Sequence, residues 1–584
     1  MKLEDFAVHQ KGYAFKSKDY IEDGVAVVRV SNLTTDSIET SDLKYVSDGI
    51  ALDKSNFRLR YNDVVIATVG SWPKNPASVV GKVIKVPDNC EEFLLNQNAV
   101  RFRANSNDDN DQLFLYYLLK SKEFSDYIIS TAQGSANQAS ITLKDIYAFN
   151  FQCPSRTERQ FIAKNLSALD KKINLNRQTN QTLEQMAQTL FKSWFVDFDP
   201  VFDNLLMKLL AKADFNLEAL NDSLDNLDFA NDFPADFPDV LRHKAQLRLT
   251  ALQAEAAAKN CDLAALFSES AHSSESAHSL VKSRSAESAN SQDKSRSQDK
   301  SHSLDSAYSG VESHSEDNNI HRHFPSEFEF NQQLGWIPKG WVENTIDGLC
   351  KINPQSWTKK NSPETVKYVD LANAKNGSIG EVANYAFEDA PSRARRILQP
   401  HDTIIGVVRP ANRSFAYVNE EGLTGSTGFT VVRANQENYR AFSYLSLTNE
   451  DCIKEFTRIA DGAAYPAIKP EDVAKAECIY SSESILNEFE ILVSAFMNKI
   501  ATNEQQNEAL TKLRDTLLPK LISGELSVDE LSVDELSVSA RKHPNSADVS
   551  DVSNVGPNVV FSESVESVAN ASLAVMTADP RLIE

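Results

Sequence analysis

Residues 158–194 of this chain read ERQFIAKNLSALDKKINLNRQTNQTLEQMAQTLFKSW and have the strongest periodic pattern in the sequence. The apolar side chains of this stretch recur in steps of three and four over about nine helical turns, which gives a mean period near 3.5 residues. That period is typical of a coiled-coil seam and narrower than the apolar face of an ordinary surface helix. The pattern predicts a long helix that needs a partner, with a stripe formed by Ile162, Leu166, Leu169, Ile173, Leu183, Met186, Leu190 and Trp194.

The partner helix is encoded later in the same chain. Adding 327 to each number of the stripe gives a second apolar stripe, and the polar interruptions Asn176 and Asn180 return as Asn503 and Asn507. Because chance rarely reproduces a stripe together with its exceptions, the pattern indicates an internal duplication. The second stripe consists of Phe489, Val493, Phe496, Ile500, Leu510, Leu513, Leu517 and Leu521.

The symmetry of the stripe predicts how the two helices pair. Reflection about Gln178 nearly reproduces the stripe, so antiparallel pairing places Asn176 opposite Asn507 and Asn180 opposite Asn503. Parallel pairing would place each Asn opposite its own copy. Buried amide pairs cost stability but penalise slipped registers. We predict the antiparallel coil, which puts the two domains at opposite ends of the helices, whereas a parallel coil would put both at one end. Its central positions are Ile173, Asn176, Asn180, Leu183, Ile500, Asn503, Asn507 and Leu510.

The sequence before each long helix has the pattern of a globular domain with more strand than helix. In the first copy, β-rich runs end at about residue 102 and a helical pattern follows at 113–129. The same order returns later, where Asp63 corresponds to Asp402 and Arg103 to Arg433. These offsets of 339 and 330 differ because loop lengths differ, and varied loops on a constant scaffold are expected to carry specificity.

The predicted fold class is therefore α+β, with two mixed α/β domains separated by two long helices that form an intramolecular antiparallel coiled coil. The predicted segments are a first domain (1–153), a first long helix (154–198), a helical connector (199–266), a disordered Ser-rich insert (267–325), a second domain (326–482), a second long helix (483–524) and a disordered acidic tail (525–584). The insert and the tail lack the apolar content that a packed core requires.

The net charge of −22, taken over the whole chain, is unfavourable for nucleic-acid binding, but it is unevenly distributed. Lys and Arg are outnumbered by Asp and Glu 12 to 22 in 201–330 and 3 to 11 in 525–584, so −18 of the net charge lies in those two segments. The domains and long helices are near neutral. Bulk charge therefore permits DNA binding without indicating it.

Cysteine and histidine usage predicts neither a disulfide framework nor a metal site. The 6 cysteines are dispersed without a C-x-x-C pair, which fits a reducing compartment. Six of the 10 histidines lie in the Ser-rich insert without metal-ligand spacing. The chain opens without a signal peptide and contains no apolar run of membrane-spanning length, so a cytoplasmic protein that does not associate with a membrane is expected.

Several motifs together carry a resemblance to a known family. The quoted stretch continues through Leu190-Phe-Lys-Ser-Trp-Phe-Val-Asp-Phe-Asp-Pro200, and the loop 134–138 (GSANQ) precedes it. Leu334-Gly-Trp-Ile-Pro-Lys-Gly-Trp341 opens the second domain, and Leu517-Leu-Pro-Lys-Leu-Ile-Ser-Gly-Glu525 ends the second helix. This arrangement resembles the specificity subunits of type I restriction-modification systems over most of 1–230 and 325–525. The insert and the tail depart from the family pattern.

The resemblance implies a function and a set of partners. In that family, two target-recognition domains each read one half of a bipartite sequence in double-stranded DNA, and unlike loops imply an asymmetric target. The subunit binds two methyltransferase subunits, to which motor and endonuclease subunits are added. We also expect the segment from Asp197 to about Leu227, together with the outer faces of the long helices, to dock the methyltransferase subunits, with packing only on the chain's own coil as the alternative. The apolar residues of that segment are Phe198, Val201, Phe202, Leu205, Leu206, Leu209 and Leu210.

Side chains that read DNA are Arg, Lys, Asn, Gln or aromatic groups presented on loops. The candidates in the first domain are Lys11, Ser71, Trp72, Lys74, Asn75, Asn137 and Gln138, and those in the second are Arg393, Arg395, Arg396, Arg409, Asn412, Arg413 and Tyr465. Ordinary solvated loop residues are the alternative for about half of such a set.

The motifs of the partner activities are absent from the sequence. There is no Gly-rich cofactor loop, no [Asn/Asp]-Pro-Pro-aromatic turn, no P-loop and no G-x-S-x-G elbow, so no cofactor and no catalytic residue are assigned. The favoured function is a non-catalytic DNA-recognition subunit. An enzyme with an unrecognised DNA-modifying site and a structural coiled-coil protein remain the alternatives.

Overall fold

The structure is a computed structural model that describes residues 1–40, 42–72, 80–135, 138–212, 239–261, 320–332, 334–380, 382–462 and 465–525. These residues form two compact units of helix and sheet, which is an α+β architecture. Unit 1 comprises the described residues of 1–178 and 503–525, and unit 2 comprises those of 179–502. Most of the predicted insert and nearly all of the predicted tail lie outside the described residues.

Unit 1 contains two four-stranded sheets and one three-stranded sheet, with strand orders β1-β9-β5-β7, β2-β4-β3-β8 and β10-β11-β6. The second sheet has one parallel pair, β3 with β8. The strands are β1 (Ala7–Lys11), β2 (Tyr20–Ile21), β3 (Val25–Val28), β4 (Lys44–Val46), β5 (Val64–Ala67), β6 (Val69–Gly70), β7 (Val83–Lys85), β8 (Leu94–Leu95), β9 (Ala99–Ala104), β10 (Gln133–Ser135) and β11 (Gln138–Ser140).

The helices of unit 1 differ from the sequence prediction at one point. The helix predicted at 113–129 is broken at Ser121, whose hydroxyl accepts a hydrogen bond from the Phe124 amide at 3.2 Å and caps a second helix. A capping hydroxyl satisfies a terminal amide that has no partner within its helix, so a new helix begins there. The helices are α1 (Asp48–Asp53), α2 (Asp109–Lys120), α3 (Lys122–Thr131), α4 (Leu143–Tyr147) and the long α5 (Arg156–Phe191).

Unit 2 repeats the two four-stranded sheets, with orders β15-β24-β21-β22 and β19-β16-β23-β20, and again has one parallel pair, β16 with β23. The strands are β12 (Phe328–Asn331), β13 (Gly335–Pro338), β14 (Val342–Thr345), β15 (Cys350–Ile352), β16 (Thr365–Val369), β17 (Ala374–Lys375), β18 (Ser378–Ile379), β19 (Ala383–Ala386), β20 (Ala394–Ile397), β21 (Thr403–Gly406), β22 (Phe415–Tyr417), β23 (Leu423–Ser426), β24 (Phe429–Ala434) and β25 (Glu477–Tyr480).

The helices of unit 2 include two from the predicted connector. They are α6 (Asp199–Lys212), α7 (Asp239–Lys259), α8 (Ile346–Leu349), α9 (Arg440–Thr448), α10 (Glu450–Ile459), α11 (Pro470–Ala474) and the second long helix α12 (Glu483–Ile522). Helix α7 packs on α6 through an ion pair between the Arg248 guanidinium Nε and Asp203 Oδ1 at 2.7 Å. The described parts of the connector, 199–212 and 239–261, thus contribute to the core of unit 2.

The apolar residues of α6 pack inside unit 2. Val201, Phe202, Leu205, Leu206 and Leu209 are all buried in the same hydrophobic cluster as Trp194 and Phe489. The expectation that these side chains dock a partner subunit is therefore wrong, because the chain's own core already covers them. The remainder of the proposed docking segment, 213–227, lies outside the described residues.

The boundary predicted for the Ser-rich insert also needs correction. Residues 320–325, assigned to the insert, include a short 3₁₀ helix at Ile320–His323. Phe324 is buried, and its ring meets the Trp194 ring edge to face at 5.1 Å between centroids. The Asn204 amide donates to the carbonyl of Phe324 at 2.9 Å. A single aromatic residue after a polar stretch is too short a signal for periodicity analysis to detect.

One ion pair at the same place in both units marks the duplicated scaffold. In unit 1, Arg103 binds the Asp63 carboxylate through Nε at 2.5 Å and Nη2 at 2.7 Å. In unit 2, Arg433 binds Asp402 through the same two atoms at 2.7 Å each. The carboxylates are 2% and 0% exposed, so each is a buried, bidentate, charge-assisted contact. The correspondences read from the sequence therefore hold in three dimensions.

Within unit 1, the two long helices contact each other in reverse order. Asp170 Oδ1 accepts from Arg514 Nη1 at 3.0 Å, and Asn176 Nδ2 donates to Asn507 Oδ1 at 2.9 Å. Ile162 shares its hydrophobic cluster with Leu521. The Asn176–Asn507 contact is the one predicted for the antiparallel register.

Unit 2 shows the same reverse order at its own helix segments. The rings of Trp194 and Phe489 lie 5.5 Å apart between centroids, which is another predicted pair. Asn180 Nδ2 lies 3.4 Å from the carbonyl oxygen of Ile500. Glu184 is mostly buried and accepts a hydrogen bond from the Tyr444 hydroxyl at 2.9 Å, which ties α5 to α9.

Candidate nucleic-acid interface

A short hairpin in unit 1 brings together most of the described candidates of the first domain. Strands β10 and β11 pair with each other, and β11 pairs with β6, just before Ser71 and Trp72. The Trp72 indole Nε1 donates to the carbonyl of Ser135 at 2.8 Å. Gln138 is exposed opposite Ser135 in the hairpin. Ser71, Trp72 and Gln138 therefore lie at one end of this sheet.

The hairpin requires a glycine at its narrowest point. A Cβ on Gly134 would lie 2.0 Å from the carbonyl oxygen of Gln138, which no side chain tolerates. Lys11 is exposed at the end of β1, opposite Val100 of β9, and no described contact joins it to the hairpin. Lys74, Asn75 and Asn137 lie outside the described residues.

Unit 2 contains a hairpin at the position equivalent to that of the β10–β11 hairpin of unit 1. Asp461 and Ala467 exchange two backbone hydrogen bonds of 2.8 and 3.0 Å. Ala467 also pairs with Val408, as Ser140 pairs with Val69 in unit 1. At the next position along the chain, the Arg409 amide donates a hydrogen bond to the carbonyl of Pro466 at 2.7 Å. The hairpin and the strand beside it are therefore duplicated along with the scaffold.

Equivalent backbone positions in the two hairpins carry different side chains. By the offsets of 327 and 339, Gln138 corresponds to Tyr465 and Gly70 to Arg409. Gln138 is exposed, and Tyr465 is 72% exposed. The Arg409 guanidinium carbon lies 4.9 Å from the centre of the Tyr465 ring, within the range of a cation–π contact. The shared framework thus presents unlike chemistry in the two units.

Arg409 and Arg413 flank a 3₁₀ turn at Pro410–Asn412, and both have left-handed backbones with φ of 51° and 55°. Residues other than glycine seldom adopt that conformation. Arg413 Nη1 binds Glu450 Oε2 at 2.5 Å, and its Nε donates to Asn376 at 3.1 Å, so this side chain anchors the turn. Asn412 is exposed at the end of the turn.

The other three arginine candidates lie on or beside β20, an edge strand that unit 1 replaces by a single bridge at Arg58. Arg393 is exposed, and Arg395 stacks on Phe387 with its guanidinium carbon 4.8 Å from the ring centre. Arg396 is half-buried, and burial lowers the pKa of its guanidinium. A register irregularity between Ala394 and Arg396 places Arg395 in a bulge.

The segment 427–428 connects the two groups of arginines. The Thr427 amide donates to the carbonyl of Arg393 at 2.8 Å, and the Gly428 carbonyl accepts from the Val407 amide at 2.9 Å. The start of β20 and the chain that leads into Arg409 therefore contact neighbouring residues. Unit 2 brings its candidates to one edge of the domain.

Sequence reasoning missed a basic turn that packs on β20. The Trp357 amide donates to the carbonyl of Arg395 at 2.8 Å, and Asn361 Oδ1 accepts from the Thr358 amide at 2.7 Å. This side-chain contact closes a tight turn whose two middle residues, Lys359 and Lys360, are exposed. The T-x-x-N spacing around two lysines was the signal that could have identified it.

The described residues contain no group of three or more His, Cys, Asp or Glu side chains that could hold a metal ion. Among the helices that the structure describes, none is long and apolar enough to cross a membrane. The arrangement of exposed Arg, Lys, Gln and aromatic groups on hairpins and turns is instead suited to contacts with phosphates and base edges.

Comparisons with known proteins agree with this picture. Residues 1–185 match the family described as the type I restriction modification DNA specificity domain. The HindI type I restriction enzyme specificity subunit of Haemophilus influenzae is 24% identical over 463 residues, covering 76% of this chain and 84% of that protein. The MjaIX specificity subunit of Methanocaldococcus jannaschii is 24% identical over 432 residues, covering 71% and 69%.

Among solved structures, a type I restriction-modification S subunit from M. genitalium is similar at 14% identity and a TM-score of 0.39, covering 89% of this chain and 95% of that one. The match to the family domain spans the two sheets and the hairpin of unit 1. The sequence relatives extend the similarity through most of the chain. Residues 1–185 therefore match the DNA specificity domain of type I restriction-modification systems, and most of the chain is similar in sequence to specificity subunits of such systems.

Proposed function

We propose that this protein is the sequence-specific DNA-recognition subunit of a type I restriction-modification complex. The observation that carries the proposal is the duplicated hairpin, which presents Gln138 in one unit and Tyr465 beside Arg409 in the other. A constant framework with different exposed tips is what a protein needs to read two different half-sites. The target is accordingly bipartite and asymmetric.

The two long helices set the distance between the half-sites in this proposal. The contacts between Asn176 and Asn507 and between Trp194 and Phe489 support one antiparallel coil with residue i opposite residue 683 − i. The part of α5 from residue 162 to its end at residue 191 is about 44 Å long at ~1.5 Å per residue. That length suits half-sites about one helical turn of DNA apart, roughly 34–36 Å.

Two kinds of DNA contact are proposed for the candidate residues. Hairpin and turn residues read base edges, and basic residues on β20 and the 358–361 turn bind phosphates. The proposed contact residues are Lys11, Ser71, Trp72, Lys74, Asn75, Asn137, Gln138, Arg393, Arg395, Arg396, Arg409, Asn412, Arg413 and Tyr465, together with Lys359 and Lys360.

Catalysis belongs to partner subunits in this proposal. Two methyltransferase subunits bind this chain, and motor and endonuclease subunits join them. The apolar side chains of α6 are buried within unit 2, so the partner surface must lie elsewhere. The exposed outer faces of the long helices remain the proposed location, where Leu175 is 50% exposed.

The test is to co-express the chain with a type I methyltransferase subunit from the same organism, purify the complex, and map the methylated sequence in DNA. A bipartite target methylated by the complex, with no methyl transfer by this chain alone, is the expected result. Methyl transfer by the isolated chain would instead indicate a DNA-modifying site of its own. A complex that binds no DNA would contradict the recognition role.

A further inference from the structure

Beside the duplicated hairpins, the position occupied by Gly70 in unit 1 and by Arg409 in unit 2 carries a side chain in only one of the two copies. Gly70 in unit 1 pairs with Ala139, and the equivalent Arg409 in unit 2 makes the equivalent backbone contact with Pro466. Arg409 also has a left-handed backbone, with a φ of 51°. A strained backbone that its surroundings hold in place is a frequent feature of binding sites.

The Arg409 side chain is held by an aromatic surface. Its guanidinium carbon lies 4.9 Å from the centre of the Tyr465 ring, and that ring is 72% exposed on the hairpin. Stacking engages the flat face of a guanidinium, whereas its N–H donors lie in the plane of the group. The contact therefore fixes the orientation of a planar set of donors at the edge of the domain.

A fixed planar fork of donors selects among DNA bases. Guanine presents two acceptors, N7 and O6, to the major groove, and arginine pairs with both at once. Adenine presents one acceptor and one donor there, so it cannot satisfy a fork that only donates. A phosphate would also accept these hydrogen bonds, but a phosphate contact does not depend on the base.

We infer that Arg409 reads a guanine in the major groove of the half-site contacted by the second domain, with Tyr465 as its positioning residue. This inference rests on the proposed recognition function and narrows it to one residue and one base. By the same comparison, Gly70 gives the first domain no equivalent contact, so the first half-site is read by other side chains, Gln138 among them.

The test uses the complex with the methyltransferase, whose target has been mapped. Initial methylation rates are measured on duplexes in which each position of the target is replaced by every other base. R409A should lower the rate on the original target by roughly 5- to 150-fold and abolish discrimination at a single guanine. R409Q should shift the preference at that position toward adenine, since Gln pairs with adenine N6 and N7.

Three further variants make the result specific. R458A removes an exposed arginine three residues before the hairpin, paired only locally with Glu455, and should leave rates and base preference unchanged. Y465F should retain the guanine preference, whereas Y465A should weaken it by removing the ring. Q138A should alter preference only in the other half of the target.

The outcomes separate this inference from the function on which it rests. Equal loss of rate on all sequences in R409A would identify a phosphate contact and overturn the guanine assignment while the recognition function stands. A wild-type target without guanine in either half would overturn it as well. If R409A melts at a lower temperature than wild type, its loss of rate no longer tests the contact by itself. The base preference of R409Q then decides, and a shift toward adenine supports the guanine assignment.

Discussion

Asn176 Nδ2 donates a hydrogen bond of 2.9 Å to Asn507 Oδ1 across the two long helices of unit 1. Asn176 Nδ2 also lies 2.8 Å from Gln506 Oε1, and Asn176 is 2% exposed. A buried amide with two partners tolerates no shift of register, because a displaced amide would face an apolar side chain. This contact is the most direct evidence for how the duplicated helices pair.

Cysteine cross-linking tests that pairing in the intact chain. The six native cysteines are first replaced by serine or alanine, since all are free thiols. The pair N176C/N507C should then form a disulfide readily under mild oxidation, whereas N176C/N503C should not. Mobility on a non-reducing gel measures the yield. Efficient formation of the second pair only would overturn the antiparallel arrangement and the proposed spacing of half-sites.

The duplicated ion pair should contribute to the stability of each domain. Replacement of Asp402 by Ala leaves the Arg433 guanidinium without its buried carboxylate, which typically costs about 3–5 kcal/mol of unfolding free energy. D63A should have a similar effect through Arg103. Chemical denaturation followed by tryptophan fluorescence measures the change.

A matched exposed pair provides the control. Lys367 and Glu420 form an ion pair with side chains 49% and 54% exposed, so E420A should cost no more than about 1 kcal/mol. A D402A variant as stable as E420A would show that the buried pair does not hold the scaffold.

Lys359 and Lys360 should bind phosphates without reading bases. Each neutralised phosphate adds about 0.9 to the slope of log affinity against log salt, so K359A/K360A should reduce that slope by up to about 1.8. The methylated sequence should stay the same. Binding of target DNA to the complex at several salt concentrations measures the slope. K454A, which removes an exposed lysine of α10, should leave it unchanged.

Glu490 should make the stability of unit 2 depend on pH. Burial raises the pKa of its carboxyl to about 7. The hydrogen bond from the Ala441 amide at 2.8 Å and the charge of Arg440 act in the opposite direction and lower that pKa, but burial is the larger effect. The folded state therefore holds this proton more tightly than the unfolded state, so unfolding free energy should fall as pH rises from about 4.5 to about 7. The total change from this group is about 3 kcal/mol.

E490Q should remove that slope, because the amide stays neutral and can still accept the backbone hydrogen bond. E483Q, the same substitution at an exposed position at the start of α12, should preserve it. Denaturation at a series of pH values compares the three proteins. A wild-type slope that survives in E490Q would assign the pH dependence to another group.

The elements that could be predicted from the sequence are those whose signals are long or repeated. The two long helices, the duplication, the Asn176–Asn507 contact and the correspondence of Asp63 with Asp402 were all predicted from spacing. Helical periodicity over many turns and identical exceptions in two copies accumulate enough information to fix both element type and register. The family followed from short motifs around those helices.

The positions of individual side chains depend on tertiary packing and could not be predicted from the sequence. The α6 residues resemble a docking face in sequence, yet α7 and the 320–324 segment cover them, because which apolar surfaces meet depends on contacts far apart in the chain. The contact of Arg409 with Tyr465 joins residues 56 positions apart, across loops whose lengths no periodicity constrains. Sequence specified the scaffold through local repetition, and long-range packing specified the surface that the scaffold presents.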